Sequence, residues 1–209
     1  MKKSAGRKPA YRTDQENFWA GEFGNEYIER NREGASNLAF FARLLRHTQN
    51  VSSVVELGAN IGLNLAAIRT LCPRICCTGV EINQRACAEL VARGGVKVVN
   101  TSLLDWRPVQ HDLAFTKGVL IHLDPAVLPV AYDKLFRGSS RYVVIAEYYN
   151  PSPVEVKYRG HSARLFKRDF AGEFLDRYPR VRLLDYGFSY HRDPNYPQDD
   201  ISWFLMEKP

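Results

Sequence analysis

The sequence predicts an α/β fold: a mostly parallel sheet, covered by helices on both faces and closed by an antiparallel hairpin. Three observations carry that expectation. From position 51 onward, short β-branched apolar runs alternate with helical patterns, as strands buried on both faces require. The first run ends in a glycine turn that opens a helix. The last two runs have no helical pattern between them, so they pair directly.

Residues 1–10 are polar and basic without periodicity and are expected to form a flexible tail. Phe18, Trp19, Phe23, Tyr27 and Ile28 follow helical spacing, interrupted by Gly21 and Gly24. Leu38, Phe41, Leu44 and Leu45 resume it, with Ser36 as N-cap. Residues 11–50 thus read as an N-terminal helical cap, and 51–209 as one domain that forms a single unit with it. Within that domain 51–57 is the first strand and Leu63–Leu71 a helix closed by Pro73. Residues 75–80 form the next strand, and Gln84–Arg93 a helix stopped by Gly94-Gly95. Val96–Asn100 and 113–116 are strands. Asp124-Pro125 caps and starts a helix over 127–136. A strand over 142–146 follows, then a helix over 169–178 stopped by Pro179, then strands at 181–188 and Ile201–Glu207.

Composition narrows the class. The 209 residues are 45% hydrophobic and 12% aromatic, enough for a packed core and too much for general disorder. No apolar run approaches the ~20 residues of a membrane helix. No apolar stretch of roughly 7–15 residues follows the basic start, so no secretory signal is read there. The cysteines (Cys72, Cys76, Cys77, Cys87) form no C-x-x-C pair, and no histidine lies between positions 48 and 110. That pattern implies no metal site, reduced thiols and a cytoplasmic protein.

The most informative segment is Val54-Val55-Glu56-Leu57-Gly58-Ala59-Asn60-Ile61-Gly62. Gly58 allows close backbone approach to a ligand, Gly62 allows the helix to pack on the strand, and Asn60 can take a left-handed conformation. The spacing G-x-x-x-G departs from G-x-G-x-x-G, which argues against a pyrophosphate and NAD. No phosphate-binding G-x-x-x-x-G-K-S/T is present. Glu81 ends the next strand, placed to accept from two ribose hydroxyls, with Ile82 beside it. Glu56 is placed to face a cationic group. A nucleoside carrying an ammonium fits both acids, and S-adenosyl-L-methionine (SAM) is such a molecule.

These segments, with Asp112-Leu113-Ala114-Phe115-Thr116-Lys117-Gly118-Val119-Leu120-Ile121-His122-Leu123, resemble the first, second and fourth motifs of class I SAM-dependent methyltransferases. Gln15 to Asn25, Glu147-Tyr148-Tyr149-Asn150-Pro151, Tyr158-Arg159-Gly160-His161, Phe166 to Glu173 and His191-Arg192-Asp193-Pro194-Asn195 resemble the pseudaminic acid biosynthesis-associated methyltransferases. The likeness runs from about Tyr11 to Glu207. It implies a Rossmann-like sheet of seven strands in the order 3-2-1-4-5-7-6, with strand 7 antiparallel, and methyl transfer in nonulosonic-acid sugar modification. It implies SAM as cofactor and S-adenosyl-L-homocysteine (SAH) as product. Glu56, Gly58, Gly62 and Thr116 would surround the methionine part, Glu81 the ribose, and Ser102 and Leu103 the adenine. Here Thr101-Ser102 replaces the commoner acid, although Asp105 follows. Apart from the resemblance, Tyr11-Arg12-Thr13 and Glu16 to Trp19 are expected to close over the cofactor.

Ligands of open α/β sheets lie beyond the carboxyl ends of the strands. Lys117 and His122 follow strand four, and Glu147, Tyr148 and Tyr149 end strand five. His122 or Glu147 would serve as base where the acceptor must lose a proton. Tyr148 and Tyr149 would stack on a sugar ring. Residues 156–168 hold five Lys/Arg and no acid, so Arg159, His161, Lys167 and Arg168 are expected to clamp an anion. Tyr190 and His191 would form a second wall, with Asp199 and Asp200 as turn residues.

The net charge of +6 concentrates in this loop and in residues 1–12, leaving the remainder net acidic. The expected partner is therefore a small anionic, sugar-derived acceptor, with no nucleic acid and no membrane. A nucleic-acid methyltransferase remains an alternative, although Thr116-Lys117-Gly118-Val119 is not the Asp/Asn-Pro-Pro-Tyr/Phe of enzymes that methylate exocyclic amines. A SAM-binding protein without catalysis is another. Monomer and homodimer are both open.

Overall fold

The computed structural model describes residues 11–32 and 34–209; the tail expected over residues 1–10 lies outside them. Seven strands form the main sheet: β1 (Ser53–Leu57), β2 (Cys76–Glu81), β3 (Val96–Asn100), β4 (His111–Lys117), β5 (Ser139–Glu147), and, after a two-residue ribbon of β6 (Val154–Glu155) and β7 (Phe166–Lys167), β8 (Arg182–Ser189) and β9 (Ile201–Glu207). Their order is β3-β2-β1-β4-β5-β9-β8. The first five are parallel, while β9 runs antiparallel to β5 and to β8. With the ribbon set aside, this is the expected order, and the closing hairpin is present. The ribbon itself was not anticipated, since two-residue strands carry no periodicity.

Helices α1 (Asp14–Ala20), α2 (Glu22–Arg30) and α3 (Ala35–Leu45) form the cap, and α4 (Leu63–Leu71), α5 (Gln84–Arg93), α6 (Leu128–Gly138) and α7 (Phe170–Arg177) cover the sheet. Thr13 and Glu16 close α1 with a reciprocal capping box, satisfying amides that a helix start leaves free. The third helix starts earlier than expected: its N-cap is Gly34, without a side-chain bond, and Ser36 lies inside the helix. Asp124 accepts from the Ala126 amide at 2.8 Å over a short 3-10 turn that leads into α6.

Alternation along the strands splits the core in two. Val55, Ala114, Val143 and Ile145 pack with Leu128, Leu135, Phe170 and Phe174 on one face. Val54, Leu113, Phe115 and Val144 pack with Phe40, Phe41, Leu65 and Trp203 on the other. Burying a side chain of this size contributes about 1.5–3 kcal/mol. Phe40 and Phe41 thus join the cap to the sheet's own core. The strand ends Leu57, Glu81 and Lys117 then meet at one edge, where the chain order reverses between β1 and β4.

Candidate active site

A cavity of about 600 Å³ lies between that edge and the cap. Gly58, Asn60, Glu81, Ile82, Ser102, Leu103, Lys117 and His122 line its floor, and Trp19 and Tyr27 its roof.

The glycine turn is built by backbone conformation and by close packing. Gly58 takes φ +83°, and a Cβ there would stand 2.5 Å from a Val119 methyl. Gly62 takes φ +80°, and its nearest obstacle is Leu90 of α5 at 2.2 Å rather than its own strand. The glycine therefore serves helix packing, against a different element from the one expected. Asn60 takes the left-handed conformation the sequence allowed, at φ +46°, and its amide donates to Glu81 Oε2 at 2.8 Å. The Asn83 amide donates to Glu81 Oε1 at 2.7 Å. One amide on each oxygen aims the carboxylate and leaves each oxygen able to accept again. Burial pushes this acid above its ordinary range.

Glu56 lies beneath the floor, 1% exposed. Asn64 donates to its Oε1 at 2.6 Å, while Glu56 Oε2 and Asn64 Oδ1 have no hydrogen-bond partner among the described residues. Burial pushes Glu56 up to about 8. Lys117, lowered by its own burial and drawn back by Glu56, reaches Asn37 Oδ1 at 3.5 Å. Thr116 is fully buried in β4 and, like Gly62 and Glu56, stands behind the wall rather than in it.

Ser102 donates to Glu16 Oε1 of the cap and accepts from the Leu104 amide at 3.1 Å. Asn83 donates to the Trp19 carbonyl at 3.2 Å and to Asn25 Oδ1 at 3.0 Å. Both bonds bind the roof to the floor. The Trp19 ring lies 4.5 Å from the His122 ring and 5.2 Å from Tyr27.

Of the two expected bases, only His122 reaches the cavity. Its Nδ1 stands 2.7 Å from the Arg164 carbonyl, which places the proton on Nδ1 and the lone pair on Nε2. Burial lowers it to about 4, so the ring is neutral at pH 7. Glu147 stands outside the cavity. Its carboxylate accepts the Val119 amide at 3.0 Å on both oxygens, Leu120 at 3.1 Å and Ile121 at 3.4 Å. Burial pushes it up to about 7. It braces the loop after β4 and lines neither the cavity nor the cleft beside it, so the structure does not bring the second expected base to the site.

The basic loop does not assemble as a clamp. Arg168 pairs with Glu173 at 2.6 Å, and Glu173 also receives the Tyr132 hydroxyl at 2.8 Å. His161 packs its ring 5.1 Å from Phe18 and 5.7 Å from Phe23. Arg159 sits at φ +48° in a tight turn, and Tyr149 is exposed beside Arg168. Tyr190 is exposed as well. These five residues border neither the cavity nor its neighbour. The neighbour is a cleft of about 290 Å³ lined by Tyr148, Lys167, His191, Asp199 and Asp200. There Lys167 lies 5.3 Å over the Tyr148 ring, and His191 pairs with Asp200 at 2.8 Å.

Sequence reasoning missed Asn37, Asn64, Tyr27 and Asp199 as lining residues. Asn64 carried a readable signal, a polar side chain between Leu63 and Leu65 two residues after Gly62. The others come from the folding of distant segments over the sheet edge.

Among the described residues, no group of His, Cys, Asp or Glu is arranged to hold a metal, and no helix is long and apolar enough to cross a membrane. No family model and no curated protein matches the chain. Solved structures do. Magnesium protoporphyrin IX methyltransferase from Synechocystis PCC 6803, with bound SAH, superposes with a TM-score of 0.71 at 10% identity, over 93% of this chain and 98% of that one. The 1,6-didemethyltoxoflavin-N1-methyltransferase of Burkholderia thailandensis, with its acceptor and SAH, gives 0.69 at 16% identity, over 93% and 86%. The glycopeptide N-methyltransferase MtfA, complexed with SAM, gives 0.63 at 14%, over 86% and 96%. The chain has the Rossmann-like fold of the class I SAM-dependent methyltransferases.

Proposed function

We propose that the protein is a SAM-dependent methyltransferase of a small acceptor, with the cofactor in the 600 Å³ cavity. The observation that carries this reading is the pair of buried acids at adjacent strand ends. Glu81 presents two oriented acceptors for ribose hydroxyls. Asn64 lines the cavity with an unpartnered Oδ1 and donates to Glu56 behind it, so Asn64, backed by the Glu56 charge, would meet an α-ammonium, and Lys117 the α-carboxylate. The volume suits a ligand of this size. Solved structures of the same fold hold SAM or SAH.

When bound, SAM supplies the activated methyl group; the chain supplies position and electrostatics. Trp19 and Tyr27 close the roof and exclude water, Glu16 with Ser102 fixes the adenine end, and Leu103 borders it. His122 Nε2 accepts a proton from, or a hydrogen bond of, the attacking group. The cap and the sheet domain work as one unit, since the roof comes from the first and the floor from the second.

The acceptor is read as a sugar-derived anion of the nonulosonic type, in the cytoplasm, on the strength of the family resemblance. Lys167, in the cleft beside the cavity, would meet its acid. The test is to incubate cell extract with the protein and isotopically labelled SAM, then search by mass spectrometry for a labelled metabolite. A labelled acidic sugar supports the full reading. A labelled metabolite of another class supports methyl transfer and removes the sugar. Tight SAM binding with no labelled product removes catalysis.

A further inference from the structure

One face of α1 grips the segment that holds His122. Gln15, Phe18 and Trp19 stand one helical turn apart, so their side chains share a face. Gln15 is buried, lines the cavity and donates through Nε2 to the Ala163 carbonyl at 3.1 Å. The Arg164 guanidinium lies 5.0 Å over the Phe18 ring and donates to the same Ala163 carbonyl at 3.0 Å. Trp19 packs on the His122 ring itself.

These contacts hold one carbonyl in place. Ala163 takes a left-handed φ of +54°, a conformation that a side chain disfavours and that surrounding bonds must maintain. Its amide donates to Glu155 Oε1 at 2.6 Å, and Gln15 and Arg164 hold its carbonyl. On the far side Leu165 is buried, and its carbonyl receives the Val156 amide at 2.8 Å. The Arg164 carbonyl between them is therefore fixed in direction, and it accepts from His122 Nδ1 at 2.7 Å. A carbonyl only accepts, so this bond keeps the proton on Nδ1. With the bond lost, the proton is free to sit on Nε2, where the ring donates and no longer serves as a base.

We propose that Gln15 is a positioning residue for His122: by anchoring the Ala163–Arg164 segment to the cap, it keeps Nε2 bare for the acceptor. The proposal rests on the methyltransferase reading only for the use made of Nε2. The roof over the cofactor and the setting of the base become one structure, so a chain with its cap undocked holds His122 in mixed tautomers.

The test is nitrogen NMR at pH 7 on protein carrying isotopically labelled histidine, with the His122 signals assigned from the His122→Asn spectrum. The wild type is expected to show His122 protonated on Nδ1 and bare on Nε2. Gln15→Met keeps the length of the side chain and removes the donor. It is expected to move the two nitrogen resonances toward each other as the tautomers mix. Gln15→Glu, equally long and without a donor when ionised, is the second variant and should give the same shift. A wild-type ring protonated on Nε2 would overturn the proposal. So would unmoved resonances in a folded variant; lowered stability with unmoved resonances would mean that Gln15 only packs. Calorimetric titration with SAH runs alongside and needs no turnover, so failure of the cofactor reading is seen separately.

Discussion

Both oxygens of the Glu147 carboxylate lie 3.0 Å from the Val119 backbone nitrogen, and the Val119 methyls fill the space where Gly58 lacks a side chain. One acid at the end of β5 thereby fixes the loop after β4 against the glycine turn after β1. Glu147→Ala leaves the Val119, Leu120 and Ile121 amides without their acceptor. We expect a loss of about 3–5 kcal/mol in urea unfolding. Gly58→Ala is expected to cost about 1–3 kcal/mol from its left-handed φ and the Val119 contact. Adding Val119→Ala should recover part of that loss, because the two residues share one space. Additive effects would separate the loop from the turn.

Glu56 supplies a pH signature for cofactor binding. Burial keeps it protonated up to about 8 in the free protein, and an incoming ammonium favours the carboxylate. SAM binding near pH 7 should therefore release a proton, and affinity should fall as pH drops below 8. Calorimetry in two buffers of different ionisation enthalpy measures the release. Glu56→Gln should abolish it; an unchanged release would remove Glu56 from the site.

His122 and the two acids tilt stability in opposite directions. The folded state holds His122 neutral to about 4, against an ordinary 6.5. Its contribution is complete above pH 6.5 and is lost as pH falls toward 4, by about 3 kcal/mol. Glu56 and Glu147 are raised to about 8 and about 7 from 4.5. Their contribution is complete below pH 4.5 and is lost as pH rises through those values. Urea midpoints from pH 4 to 8 should show both limbs, and His122→Asn should flatten only the acid one.

The strands and the closing hairpin were legible because short β-branched runs record burial on both faces, as Val54 and Val55 illustrate; the strand order came only from the family resemblance. The residues proposed for the cofactor were legible because they lie within one strand–turn–helix and the next strand end. The lining contributed by α2 and by the turn before β9 was not, because distant segments bring it over the sheet edge. A count of charges could not tell that Arg168 would pair with Glu173, or that the backbone would satisfy Glu147.

Arg168 offers a direct check on that difference. Its ion pair with Glu173 is partly exposed, so Arg168→Gln should cost no more than about 1 kcal/mol and leave SAM affinity unchanged. An anion clamp would instead show a raised acceptor KM at unchanged stability.

The cap makes its own prediction. Glu16 receives the Arg12 and Thr13 amides, both at 2.9 Å, and the Ser102 hydroxyl. Glu16→Ala should speed amide hydrogen exchange across α1 and α2 while leaving β1, β2 and β4 protected. Uniform acceleration across the chain would mean that the cap does not open separately.

Titration of SAM into the wild-type protein and into Glu81→Gln tests the cofactor site most directly. We expect one SAM per chain for the wild type, and at least tenfold weaker binding for the variant, with its unfolding still cooperative. Absence of wild-type binding, or equal affinity for both proteins, would contradict the assignment of this cavity to SAM.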